Sequence, residues 1–167
     1  VLEYFAIAEQ EGLHCLSGAR QLLEPGWFVA PTLYSDVPTD SRLWREEIFG
    51  PVLCSRRFSD EADAIRQAND CDFALAATVV SADRTRAMRV AEALEAGHVW
   101  INSVQVIYPH TSWGGGKASG IGSELGPWGL SAFQQVKHIT VPAACARPRQ
   151  TVRALLGTLA GDSRGPK

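Results

Sequence analysis

The sequence predicts an α/β domain built on a parallel sheet, and three observations carry that expectation. Apolar, strand-length runs at 52–58, 74–80 and 98–102 are separated by two segments of helical period. Each of those segments opens on Ser or Asp, the residues that cap helix N-termini, and the second stops at Gly97. Strand, helix, strand, helix, strand in that order implies right-handed crossovers between parallel strands, with helices covering the sheet.

Residues 1–11 place Leu2, Phe5, Ile7 and Ala8 at helical spacing and run to Gly12, a residue suited to a left-handed C-terminal cap; a short strand is expected over 13–16. The aromatic and β-branched stretch 26–34 reads as a strand interrupted by Pro31. Ser59, Asp60 and Glu61 open a helix carrying Ala62, Ile65 and Ala68. Ser81 or Asp83 opens the next, with Ala87, Val90, Ala91 and Leu94 on one face. Beyond Asn102 the periodicity gives way to a loop rich in Gly, Ser and aromatics as far as Gly126, and a short helix follows through Trp128, Leu130, Phe133 and Val136. Long loops of this kind usually carry function.

Two segments are expected. Residues 1–140 hold 11 basic against 17 acidic side chains, whereas residues 141–167 hold 5 against 1 together with three prolines. The first is the folded portion, ending in an edge strand near 138–141, and the second is a basic Ala/Pro/Arg tail with a brief helix expected over 151–159. A net charge of −2 argues against a nucleic-acid surface, which needs clustered Lys and Arg. No stretch approaches the roughly 20 apolar residues that span a bilayer. Cys15, Cys54, Cys71 and Cys145 form no Cys-x-x-Cys pair and have no histidine at metal-site spacing, so no disulfide framework or metal site is read and a reducing compartment is expected.

The residues that carry chemistry fall in two blocks. The first is Glu46-Glu47-Ile48-Phe49-Gly50-Pro51, in which two adjacent acids cannot share one face of an extended segment. The second is Trp113-Gly114-Gly115-Gly116-Lys117, running into Ser119-Gly120-Ile121-Gly122-Ser123-Glu124-Leu125-Gly126. A phosphate-loop reading of the glycines fails, because Thr111 stands where the first Gly is needed and Ala118 where Ser or Thr must follow the Lys. A dinucleotide fingerprint fails as well, since the glycines do not lie directly between a strand and a helix at G-x-G-x-x-G spacing.

Together with Gly26-Trp27-Phe28, Pro31-Thr32 and Val99-Trp100-Ile101-Asn102, the two blocks make the chain from Val1 to Thr140 resemble the C-terminal third of an aldehyde dehydrogenase. The resemblance implies oxidation of an aldehyde to a carboxylic acid with NAD or NADP, in a homo-oligomer. It implies that Glu47 holds the nicotinamide ribose hydroxyls and that Phe49 packs near the nicotinamide. It also implies that Trp113 walls the substrate tunnel with Ile107 and Tyr108 beside it. A carboxylate that accepts two hydroxyls and a flat apolar ring suit those roles. The Trp113 wall suits a cationic aldehyde through cation–π attraction, as in betaine-aldehyde and aminoaldehyde members. By the same resemblance the thiol nucleophile, the general base and the dinucleotide-binding fold belong upstream of Val1, which implies a segment inactive alone. The alternative is a truncated, non-catalytic protein that associates with full-length subunits. Ser123 departs from the family pattern, which has Arg there, and that removes a structural ion pair.

Overall fold

The computed structural model describes residues 1–23, 25–103 and 105–141, so Cys145 and the helix expected over 151–159 lie outside the described residues. Contacts divide the chain into two units, Val1–Phe133 and Gln134–Lys167.

In the first unit, helix α1 (Leu2–Gln10) ends as expected, with Gly12 at φ +68° just beyond it, a conformation that costs a residue without Cβ little. Strands β1 (His14–Ser17), β2 (Thr32–Ser35) and β3 (Val52–Cys54) form a three-stranded sheet in the order β1-β2-β3. β1 pairs antiparallel to β2 with an irregularity between Cys15 and Ser17, and β2 pairs parallel to β3 with Thr32 opposite Val52. Between β2 and β3 lies a one-turn helix, α2 (Arg42–Arg45), that the periodicity does not announce. Its N-cap Ser41 is buried, accepts the Leu43 N–H at 3.1 Å and donates to Glu11 at 2.5 Å. Ala8, Tyr34, Val37 and Leu43 form the buried core of this part, with Tyr4, Ile48 and Cys54 packed around it.

Helix α3 (Glu61–Asn69) is capped by Asp60, which accepts the Asp63 N–H at 2.8 Å, while Asp63 accepts the Ser59 N–H at 2.9 Å. This reciprocal cap, with Arg66 alongside, holds the Asp63 carboxyl down to about 2. Of the two candidates for the next cap, Asp83 takes the position and opens α4 (Arg84–Ala93). Between these helices the apolar run 74–80 splits. β4 (Phe73–Ala74) pairs antiparallel with β7 (Gly116–Lys117), and β5 (Ala76–Val79) pairs parallel with β6 (His98–Ile101). Helix α5 (Gly126–Ser131) closes the unit.

The architecture is mixed α/β as expected, and β5-α4-β6 is the parallel crossover that the alternation implies. Among the described residues the strands fall into three small sheets: β3 pairs back to β2, and β4 pairs with the glycine-rich loop. Backbone pairing across these edges is a tertiary choice that element order does not encode. In the second unit, residues 134–141 form neither helix nor strand, so the edge strand expected near 138–141 has no partner among the described residues.

Candidate coenzyme and substrate site

The adjacent acids of the first block are separated by their partners. Glu46 directly follows α2, and its carboxylate accepts Arg42 Nε at 2.7 Å, Arg42 Nη2 at 2.9 Å and the Tyr4 hydroxyl at 2.8 Å. The Arg42 bonds, then the Tyr4 hydroxyl, hold the Glu46 carboxyl below the usual carboxylate range, and the same contact raises the Tyr4 phenol. Glu46 therefore ties α1 to α2. Its partner Tyr4 lies 42 residues away in sequence, and only tertiary structure brings the two together. Ile48 packs against the core. Glu47 is exposed, and among the described residues no side-chain hydrogen bond or ion pair engages it. Phe49, two residues on, is 88% exposed and sits at φ +50°, a left-handed conformation uncommon for a bulky residue. A carboxylate without a partner among the described residues and an uncovered ring thus stand two residues apart on the same short segment.

The second block is held from several directions. Trp113 and Glu124 exchange backbone hydrogen bonds, each at 2.7 Å, which closes the loop on itself without any ion pair at Ser123. A cleft of about 360 Å³ runs along this loop between Trp113, Leu75 and Ile121. Trp113 is half-buried and packs in an aromatic trio with His98 and Trp100 from β6, with ring centroids 5.4 Å and 5.7 Å away; His98 and Trp100 lie 4.4 Å apart. Trp100 Nε1 also donates to the Val106 carbonyl at 3.0 Å, and so fastens the segment carrying Ile107 and Tyr108, both about half exposed, to the same strand. Asn102, at φ +52°, ends β6 with its amide bonded to both the N–H and the carbonyl of Ser81. His98 and Trp100 are the site residues that sequence reasoning left aside. The signal was their alternation along a strand, which places both on one face.

The glycines do specific work at one crossing. A Cβ on Gly97 would lie 1.8 Å from the Gly114 carbonyl oxygen and 3.1 Å from the Gly115 Cα, both of them backbone. Gly97→Ala should therefore displace the loop and lower stability by about 1–3 kcal/mol, the usual cost of overpacking. Gly116→Ala, whose Cβ would meet only the Ala74 methyl at 3.7 Å, should change the thermal midpoint far less. Equal shifts in melting temperature for the two variants would show that the close approach at Gly97 is unimportant.

Cys15, Cys54 and Cys71, the cysteines among the described residues, lack the setting of a nucleophile. Cys54, in β3, is partly buried, donates to the Leu43 carbonyl at 3.6 Å, and burial pushes its thiol up. Cys15 Sγ contacts the Ser17 carbonyl and Cys71 Sγ the Phe73 N–H, and among the described residues no cysteine sulfur bonds to a histidine, lysine or arginine. No group of three potential metal ligands gathers among the described residues, and no helix among them is long and apolar enough to cross a membrane.

Comparison with known proteins identifies the family. Residues 1–139 match the model of the aldehyde dehydrogenase family. The peroxisomal aminoaldehyde dehydrogenase 2 of Malus domestica is 46% identical over 142 residues, covering 84% of this chain and 28% of the relative. The chloroplastic betaine aldehyde dehydrogenase of Beta vulgaris is 42% identical over 142 residues, with the same coverage. Among solved structures, a betaine aldehyde dehydrogenase point mutant from Staphylococcus aureus in complex with NAD+ superposes with a TM-score of 0.80 at 39% identity, over 83% of this chain and 29% of that one. An aldehyde dehydrogenase mutant from Bacillus cereus gives 0.81 at 38% identity, over 84% and 29%. The chain thus spans less than a third of the length of these relatives.

Proposed function

The chain belongs to the aldehyde dehydrogenase family, and on that premise we propose that it is the coenzyme-positioning and substrate-lining part of an enzyme that oxidises an aldehyde to a carboxylic acid with NAD or NADP. The observation that carries the coenzyme assignment is the division of labour between the two acids: Glu46 is bound to Arg42 and Tyr4, while Glu47, two residues before an uncovered Phe49, has no side-chain partner among the described residues. This pair fits a nicotinamide riboside. The Glu47 carboxylate has acceptor sites for two ribose hydroxyls, and the Phe49 ring offers a flat apolar surface that does not compete for the carboxamide. When bound, the nicotinamide supplies the hydride acceptor of the reaction. The part of Glu47 and Phe49 is to fix its position.

The substrate side is the Trp113 wall, with Ile107 and Tyr108 fastened beside it through Trp100. Indole faces attract cations, and the relatives named for aminoaldehydes and betaine aldehyde favour a cationic aldehyde here. Assembly into a homo-oligomer is supported by residues 134–141, where Val136, Ile139 and Val141 are exposed on a segment that has no strand partner among the described residues.

In the protein that carries this chain, NAD+- or NADP+-dependent turnover of betaine aldehyde is expected. Trp113→Ala should raise its KM about three- to thirtyfold more than that of 3,3-dimethylbutanal, a neutral aldehyde of the same shape, in line with the strength of cation–π contacts. An equal rise for both aldehydes would sink the cationic assignment, and absence of coenzyme-dependent turnover would sink the activity itself.

A further inference from the structure

The turn that ends α3, Asn69-Asp70-Cys71-Asp72, bonds to Arg45, the residue just before the first block, and to Lys117 of the second, although it belongs to neither block. Its three successive carbonyls are taken by two cationic side chains. Arg45 Nη1 donates to the Asp70 carbonyl at 2.9 Å, while Lys117 Nζ donates to the Asn69 carbonyl at 2.8 Å and the Cys71 carbonyl at 3.0 Å. Arg45 lies two residues before Glu47, and Lys117 closes the glycine block. Each cation is held further. The Arg45 guanidinium forks onto the Asp70 carboxylate at 2.9 and 2.8 Å and also reaches the Thr39 carbonyl; Lys117 pairs with Glu95 at 2.6 Å. Asp70, with the Arg45 hydrogen bond as the main cause, titrates below the ordinary carboxylate range.

The turn itself is pinned to the end of α4. Asn69 Nδ2 donates to the Ala93 carbonyl at 2.8 Å, and Asn69 Oδ1 accepts the Glu95 N–H at 2.9 Å. The Asp72 carbonyl then accepts the Ala118 N–H at 2.8 Å, one residue past Lys117. Cations at a helix C-terminus are favoured there by its exposed carbonyls. A planar guanidinium bound in a fork fixes direction as well as distance, which a single ammonium contact does not.

We propose that this turn is a joint that sets the Glu46–Gly50 segment and the Trp113–Lys117 loop in one frame, with Asp70 acting as a positioning residue for Glu47 through Arg45. The coenzyme half of the idea rests on the reading of Glu47 above; the mechanical half does not. Two measurements on the protein that carries this chain separate them.

The first is hydrogen exchange in Asp70→Asn, which keeps the shape of the side chain but loses its charge. The Glu46 N–H, bonded to the Arg42 carbonyl, and the Ala118 N–H, bonded to the Asp72 carbonyl, should both exchange about two- to fivefold faster, the modest change expected of a partly exposed pair. The amides that link β5 and β6 should be unchanged. Faster exchange at only one of the two sites, at neither, or everywhere would overturn the joint.

The second is coenzyme binding in a double-mutant cycle with Glu47→Gln. Asp70→Asn should weaken NAD+ binding about two- to fivefold when Glu47 is present and leave it unchanged when Glu47 is already replaced. The same loss in both backgrounds, or no loss in either, would overturn the role of Asp70 toward Glu47. Unchanged NAD+ binding in Glu47→Gln alone would refute the coenzyme reading of Glu47 and leave the joint to be judged by hydrogen exchange.

Discussion

Expressed by itself, the 167-residue chain is expected to oxidise betaine aldehyde or acetaldehyde with NAD+ no faster than a buffer blank. Covalent aldehyde oxidation needs a thiolate, and a thiol becomes one at neutral pH when a cation, a histidine or a helix N-terminus stabilises the charge. Cys54 is in the opposite situation: it is partly buried, its thiol is pushed up, and it is bonded to a backbone carbonyl. Neither Cys15 nor Cys71 has a basic side chain on its sulfur. Loss of the nucleophile in covalent catalysis costs on the order of 10⁴-fold or more in rate, which leaves nothing for a spectrophotometer to follow at 340 nm. NADH production by the purified chain that disappears in Cys54→Ser would overturn this expectation and place the nucleophile in β3.

The adjacent carboxylates give the second large effect. In the protein that carries this chain, Glu47→Gln should lower kcat about ten- to a thousandfold while the melting temperature stays near that of the parent. Loss of one positioning contact misplaces a bound ring relative to its reaction partner by enough to produce such factors. Glu46→Gln should behave in the reverse way. Its carboxylate joins Tyr4 of α1 to Arg42 of α2 through three hydrogen bonds. Its replacement should therefore lower the melting temperature more than Glu47→Gln does and change kcat little. The two residues are chemically identical and consecutive, so composition cannot separate them. Equal kinetic effects, or a larger one at Glu46, would mean that the coenzyme role has been given to the wrong acid.

What the sequence determined by itself was the kind of elements and the two blocks that carry the chemistry. Helical period, Asp60 and Asp83 as caps, Gly12 beyond α1 and the β5-α4-β6 crossover are local or nearly local properties, legible because hydrogen bonds between neighbours in sequence create them. The motif strings pointed to the family for a similar reason, since they are runs of consecutive residues. Tertiary structure decided which strands pair, and so divided the strands of the described residues among three small sheets, with β3 returned to β2 and β4 joined to the glycine loop. It also decided which acid is free. Tyr4 meets Glu46 across 42 positions and Arg45 meets Asp70 across 25, and no spacing rule connects residues so far apart. The aromatic trio of His98, Trp100 and Trp113 has the same origin: alternation along β6 put two rings on one face, but only the close approach of Gly114 to Gly97 delivers the third.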